Sequence, residues 1–185
     1  ASKGDLDRIL RAQRHRGPDG EGVRKFADGV LLHNRLKILD LTDAGAQPLG
    51  NEDGHVWVVF NGEIYNHACL RKELEGRGHR FRSRTDSEVI PHLYEEHGDR
   101  FVEHLRGMFA IGLLDLRRRT LLLVRDRLGI KPLFYAATER FVAFASEIRP
   151  LTGRPLQDLR ALLFQPRLPG FHRALPRRPE PGCQA

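Results

Sequence analysis

Apolar positions along the chain gather in short unbroken runs more often than in helical stripes. Val56-Trp57-Val58-Val59-Phe60 is one such run, and residues 108–116 and 121–124 hold two more. Short apolar runs bounded by polar turns read as strands buried on both faces. The basic turn Arg117-Arg118-Arg119 between two of them predicts a hairpin. Residues 133–136 and 141–145 form a second hairpin-like pair. Residues 30–33 read as a strand, which a further run at 37–41 continues. Gly17-Pro18-Asp19-Gly20 is a turn, because proline presets one dihedral and glycine permits the next. Residues 44–54 carry the turn signals of a loop.

The helical signal is weaker. Residues 5–14 place Leu6, Ile9 and Leu10 on one face. Asn66 can cap a helix whose apolar positions Leu70 and Leu74 lie four apart, with Gly76 and Gly78 at its end. Phe81 begins a short extended piece. Thr85 and Glu88 have capping-box spacing and open a helix running to about His97. Pro91 falls inside that helix, where a missing N–H costs up to about 3 kcal/mol unless a kink absorbs it. Residues 101–105 look helical. Hairpins with helices between them predict two packed sheets covered by helices.

After about residue 152 the text changes. Six of the eleven prolines fall within residues 155–181, and no apolar period survives beyond Leu163. Two segments follow: residues 1–153 as one domain, and an Arg/Pro-rich tail at 154–185. The tail is expected to stay off the core, either disordered or read out of frame.

Composition narrows the class. The 185 residues are 40% hydrophobic and 30% charged, enough for one soluble domain with a real core. No apolar stretch approaches membrane-spanning length and no signal-peptide pattern is present, so the chain reads as cytoplasmic without membrane contact. The net charge of +7 invites a nucleic-acid reading, but +4 of it sits in the last 32 residues, where six arginines face two acids. No nucleic-acid partner is expected. Cys69 and Cys183 are too few for a disulfide framework, and Cys69 reads as a thiol on a helix face. None of the nine histidines falls into a metal-ligand spacing, so no metal is expected.

Chemistry concentrates at Asn61-Gly62-Glu63-Ile64-Tyr65-Asn66, placed at the end of the 56–60 strand. An Asn carboxamide beside a Gly N–H makes the donor pair that stabilises an oxyanion in acyl transfer. The carboxylate of Glu63 can hold an ammonium group. Upstream stand His15-Arg16-Gly17-Pro18-Asp19-Gly20 and His33-Asn34-Arg35-Leu36-Lys37-Ile38. Downstream stand Thr85-Asp86-Ser87-Glu88, Gly107-Met108-Phe109-Ala110 and the stretch 125–133.

In this order and spacing the motifs resemble the class II, N-terminal-nucleophile glutamine amidotransferase domain of the asparagine synthetase B family, over about residues 14–151. The resemblance implies an α+β fold, the four-layer αββα sandwich of N-terminal-nucleophile hydrolases, here lacking its first strand. It implies hydrolysis of L-glutamine to glutamate and ammonia. The family's nucleophile is an N-terminal Cys whose own α-amine acts as base. This chain starts Ala1-Ser2-Lys3-Gly4 and shows no such Cys, so the chain as given is expected to be inactive. Cys69 cannot stand in, being internal.

Carried over by resemblance, Arg35 holds the glutamine α-carboxylate, a task suited to a bidentate guanidinium. Leu36, Ile38 and Leu39 line the pocket. Asn61 and Gly62 form the oxyanion hole, and Glu63 and Asp86 receive the ammonium. His15 and Arg16 shape a neighbouring loop, and residues 125–132 form a structural one. The chain carries no Ser-Gly-Gly-x-Asp-Ser or Walker-type loop, so no cofactor is expected in it. ATP and Mg would belong to a synthetase domain, either fused or in a full-length homologue acting as partner. Two rivals remain at this point: an amidotransferase serving a different acceptor, and a non-catalytic glutamine-binding pseudoenzyme.

Overall fold

A computed structural model describes residues 3–38, 40–139, 141–152 and 172–174. The first helix, α1 (Lys3–Gln13), precedes a 3-10 turn, Arg14–Arg16. Two antiparallel strands follow, β1 (Gly20–Phe26) and β2 (Gly29–Arg35). The central sheet is built from β3 (Leu49–Gly50), β4 (Val56–Ile64), β5 (Gly107–Asp115) and β6 (Thr120–Arg125), in that spatial order. Between β4 and β5 the chain forms α2 (His67–Gly76), α3 (Val89–His97) and a 3-10 segment, Gly98–His104. A second hairpin, β7 (Phe134–Ala137) and β8 (Val142–Ala145), leads to the short α4 (Arg149–Thr152).

Side-chain alternation on the central strands shows why the layers form. On β4, Val56, Val58 and Phe60 point to one face and join Leu70, Leu74, Ile90, Leu93 and Phe101 from the helices. Trp57 and Val59 point to the other and meet Leu31, Val142, Phe26 and Phe144 from the two hairpins. Strands β5 and β6 divide the same way, with Ile111, Leu113, Leu122 and Val124 on the helix side and Leu114, Leu121 and Leu123 opposite. Both faces are dry, so the apolar runs are continuous. A third cluster packs Leu6 and Ile9 of α1 on Val30 and Leu32 of β2. From α2 and α3 through the central sheet and the hairpin layer to α1, the order is α–β–β–α, as expected. Among the described residues, no helix is long and apolar enough to cross a membrane.

Several local expectations are corrected. Residues 37–41 do not continue β2; Asp40 takes a positive φ of 53° and turns the chain. Its carboxylate accepts the N–H and hydroxyl of Thr42. The capping box does not form. Glu88 instead accepts from the backbone of Arg82 and Ser83 and from the Ser83 hydroxyl, and α3 starts only at Val89. Pro91 therefore sits in the first turn, where its missing N–H is one of the helix's unbonded donors and costs little. Asn66 does not cap α2 through its side chain, which bridges the His104 carbonyl and the Arg106 N–H. Cys69, expected as a thiol, is disulfide-bonded; the other cysteine, Cys183, lies outside the described residues. The tail expected from residue 154 also falls largely outside them. Its described part is β9 (His172–Ala174), whose backbone pairs in parallel with β6.

Candidate functional site

Strand β4 does not stop at the polar motif. Asn61, Gly62, Glu63 and Ile64 stay in the ladder opposite Ala110, Phe109, Met108 and Gly107 of β5. The motif is thus held in the ladder by β5 rather than presented beyond a strand end. Gly62 is required there: a Cβ would lie 2.1 Å from the Met108 carbonyl oxygen. Strand β2 delivers His33, Asn34 and Arg35 alongside. Arg35 is buried, and its guanidinium donates to the carbonyls of Thr42 (2.7 Å) and Asp40. It thereby ties residues 40–42 to the end of β2. Gly45 accepts this closeness, since a Cβ there would sit 2.5 Å from Arg35 Nη2.

The third wall is the 83–88 loop. Ser83 Oγ pairs with Thr85 Oγ1 at 2.8 Å, and Ser87 Oγ donates to Thr85. Asp86 Oδ2 accepts the Ile64 N–H at 2.8 Å, tying this loop to the end of β4. Asp86 is 6% exposed, and burial raises its carboxyl above the usual range against the opposing backbone bond from Ile64 and the charge of His67. The fourth wall is Lys131, presented by a loop wound around Asp126. That carboxylate accepts from the N–H groups of Leu128, Ile130, Lys131 and Phe109. Burial alone would raise the Asp126 carboxyl; the backbone bonds of Lys131, Ile130, Phe109 and Leu128 hold it below the usual range.

These walls enclose a cavity of about 260 Å³. Arg35, Leu36, Ile38, Asn61, Gly62, Glu63 and Asp86 all line it. Leu39 lies outside the described residues. Sequence reasoning had not assigned His33, Asn34, Gln47, Thr85, Ser87 or Lys131 to the lining. His33 and Asn34 had a signal, since they immediately precede Arg35 in the quoted motif. Gln47 had none: its Oε1 reaches back to accept the Phe60 N–H at 2.6 Å. Arg16, read as a loop-shaping residue, also reaches the cavity, while Arg16 and His15 both contact Glu147, at 3.5 and 2.8 Å.

An adjoining cavity of about 120 Å³ shares Arg16, His33, Asn34, Phe60 and Asn61. Its far wall is Phe144 and Ala145 of β8 with Ser146 just beyond, and Asn61 Nδ2 donates to Ser146 Oγ at 3.4 Å. The edges of β2 and β8 face this space without pairing; β1–β2 and β7–β8 are separate two-stranded sheets. His33 Nδ1 and Asn34 Nδ2 are buried here without a hydrogen-bond partner among the described residues. Buried donors and acceptors left open are rare and point to a ligand or water. Burial pushes the His33 imidazole down to about 4, opposed by the Phe60 backbone and aided by the Arg35 charge, so the ring is neutral at physiological pH.

A four-layer αββα body with a polar cavity at the end of its paired sheets is the fold of the N-terminal-nucleophile amidotransferases. A glutamine phosphoribosylpyrophosphate amidotransferase from B. subtilis, solved with ADP and GMP, superposes with a TM-score of 0.64 at 19% identity, covering 84% of this chain and 40% of that one. A second solved structure, an allosteric regulatory enzyme of purine biosynthesis, gives 0.63 at 19% identity over 87% and 41%.

The glutamine amidotransferase domain family matches residues 1–163, and the chain belongs to that family. Asparagine synthetase [glutamine-hydrolyzing] 2 of Arabidopsis thaliana is 47% identical over 153 residues, 82% of this chain and 26% of that protein. The Bacillus subtilis asparagine synthetase [glutamine-hydrolyzing] 2 is 46% identical over 141 residues, 76% and 18%. The chain spans about a quarter or less of the length of these relatives.

Proposed function

We propose that the 260 Å³ cavity binds L-glutamine and that the domain supplies ammonia to an asparagine-forming synthetase. The observation that supports this most is the convergence of the Arg35 guanidinium, two carboxylates and an Asn–Gly pair, drawn from separate segments, on a single space the size of an amino acid. Arg35 takes the α-carboxylate. Asp86 and Glu63 take the α-ammonium. Asn61 and Gly62 stand where the side-chain amide arrives, and their donors stabilise the oxyanion formed when that amide is attacked. The attacking thiol and its amine base belong to one amino-terminal cysteine in this reading. Among the described residues no cysteine lines the cavity. ATP and magnesium act in the synthetase part, outside this chain, with aspartate as acceptor.

Isothermal titration with L-glutamine tests the binding half. Saturable binding at one site is expected, with much weaker binding of the 2-oxo analogue, which lacks the ammonium. Equal affinity for both compounds would remove Asp86 and Glu63 from their roles, and no binding at tens of millimolar would overturn the reading.

A further inference from the structure

On the opposite side of the 80–88 loop lies a cluster that the glutamine reading does not use. We propose that Glu52, His79, His92 and Glu95 form a site for a divalent transition-metal ion of the zinc class. One ligand atom from each lies within 4.8 Å of all the others. His92 and Glu95 share one turn of α3, three residues apart and so on one face. His79 follows α2, and Glu52 sits in the turn between β3 and β4. Three separated segments therefore converge, which explains why no spacing in the sequence announced the site and why no metal was expected from it.

The distances lie near those of tetrahedral coordination. His92 Nδ1 stands 3.4 Å from Glu52 Oε2 and 3.4 Å from Glu95 Oε2. His79 Nδ1 stands 3.9 Å from Glu52 Oε1 and 3.8 Å from Glu95 Oε2. Zinc bonds of about 2.0–2.2 Å in a tetrahedron hold ligand atoms about 3.3–3.6 Å apart. The two edges from His92 already match, and His79 needs to move in by a few tenths of an ångström towards Glu95 Oε2 and to meet the same Glu52 oxygen as His92. Two carboxylates with two neutral imidazoles also balance a 2+ charge.

Outer partners orient the four groups as metal sites require. Asn51, 3% exposed, donates to Glu95 Oε1 at 2.7 Å and leaves Oε2 facing the histidines. The Arg80 N–H holds Glu52 Oε1 at 2.9 Å. Glu96 Oε1 lies 3.0 Å from His79 Nε2, which places the proton there and the Nδ1 lone pair inward. His92 is 2% exposed and is held by the edge of Phe81, 4.6 Å between ring centres. None of the four proposed ligands lines the glutamine cavity, so the ion is structural, a cross-link between α2, α3 and the β3–β4 turn.

The competing account is a proton-held cluster, with an imidazolium shared between carboxylates. Chelator-treated full chain titrated with Zn²⁺ separates the two, with Co²⁺ as a spectroscopic probe. One Zn²⁺ per chain, a rise in Tm on zinc addition and a visible Co²⁺ band of tetrahedral type are expected. His79→Ala and Glu52→Gln should each weaken Zn²⁺ binding at least tenfold, and Asn51→Ala about tenfold or more through the outer shell. Circular dichroism of the zinc-free variants checks that they fold. No uptake at millimolar Zn²⁺ would overturn the proposal and leave the proton-held cluster. Uptake unchanged in both His79→Ala and Glu52→Gln would also overturn it, placing the ion on other histidines. Glutamine binding by zinc-free protein is a separate readout and does not decide this one.

Discussion

Asp86→Asn separates the proposed role of this carboxylate from a purely architectural one. Asparagine keeps an oxygen that can accept the Ile64 N–H, so the link between the 83–88 loop and β4 survives. What disappears is the charge. Burial already works against that charge, raising the carboxyl in the folded protein. A raised carboxyl contributes stability below its unfolded value and loses that contribution as pH rises through the folded one. At pH 7 the ionised Asp86 therefore weighs against folding, and removing its charge should leave the unliganded Tm unchanged or higher. Glutamine binding should move the other way. A hydrogen bond to a charged group contributes about 1.5–3 kcal/mol and a neutral one about 0.5–1.5. The loss of about 1–2 kcal/mol corresponds to roughly 5–30-fold weaker binding. Titration calorimetry reads the affinity and differential scanning calorimetry the Tm. Affinity within twofold of the parent would show that Asp86 does not face the ammonium. A Tm lower by several degrees would show that the charge is held by bonds that outweigh its burial.

Other outcomes follow from the same geometry. His33 is depressed from 6.5 to about 4 by burial, so the unfolded chain binds the proton first. Stability should be fully present above pH 6.5 and fall towards pH 4, by up to about 3 kcal/mol; urea titrations of His33→Gln should show that slope flattened. Gly62→Ala would put a methyl 2.1 Å from the Met108 carbonyl. It should cost at least about 2 kcal/mol by opening the β4–β5 ladder, and an unchanged denaturation midpoint would show that the ladder yields there without strain.

The fold was legible where burial was complete. Residues 56–60, 108–116 and 121–124 read as strands because both faces are apolar, and both faces are buried. Strand β1 was missed for the opposite reason: Gly-Glu-Gly-Val-Arg-Lys-Phe is mostly exposed, and only pairing with β2 makes it a strand. The 37–41 run misled because Ile38 and Leu41 are apolar yet exposed, 71% and 68%, at the rim of the cavity and beyond it. Seven residues that line the cavity were named from local motifs, since each motif carries its chemistry in adjacent positions. Gln47, Thr85 and Lys131 were not, because their place depends on loops closed by distant partners such as Phe60 and Asp126. The Glu88 side chain shows the limit of a local rule, as capping-box spacing lost to three donors five and six residues back.

Glu147 meets His15 and Arg16 across more than 130 positions of chain, and α1 packs against α4 as well as β2. During synthesis the first helix leaves the ribosome long before its last partner exists. Pairings this distant close late and fold slowly. Until residue 147 emerges, the apolar face of α1 has β2 alone to cover it, and Arg16 has no anchor beside the cavity. A nascent chain halted before β8 should therefore carry most of the core and every residue that lines the cavity, but with Arg16 unanchored. Such an intermediate leaves uncovered the side of α1 that α4 meets, a surface a chaperone would be expected to hold.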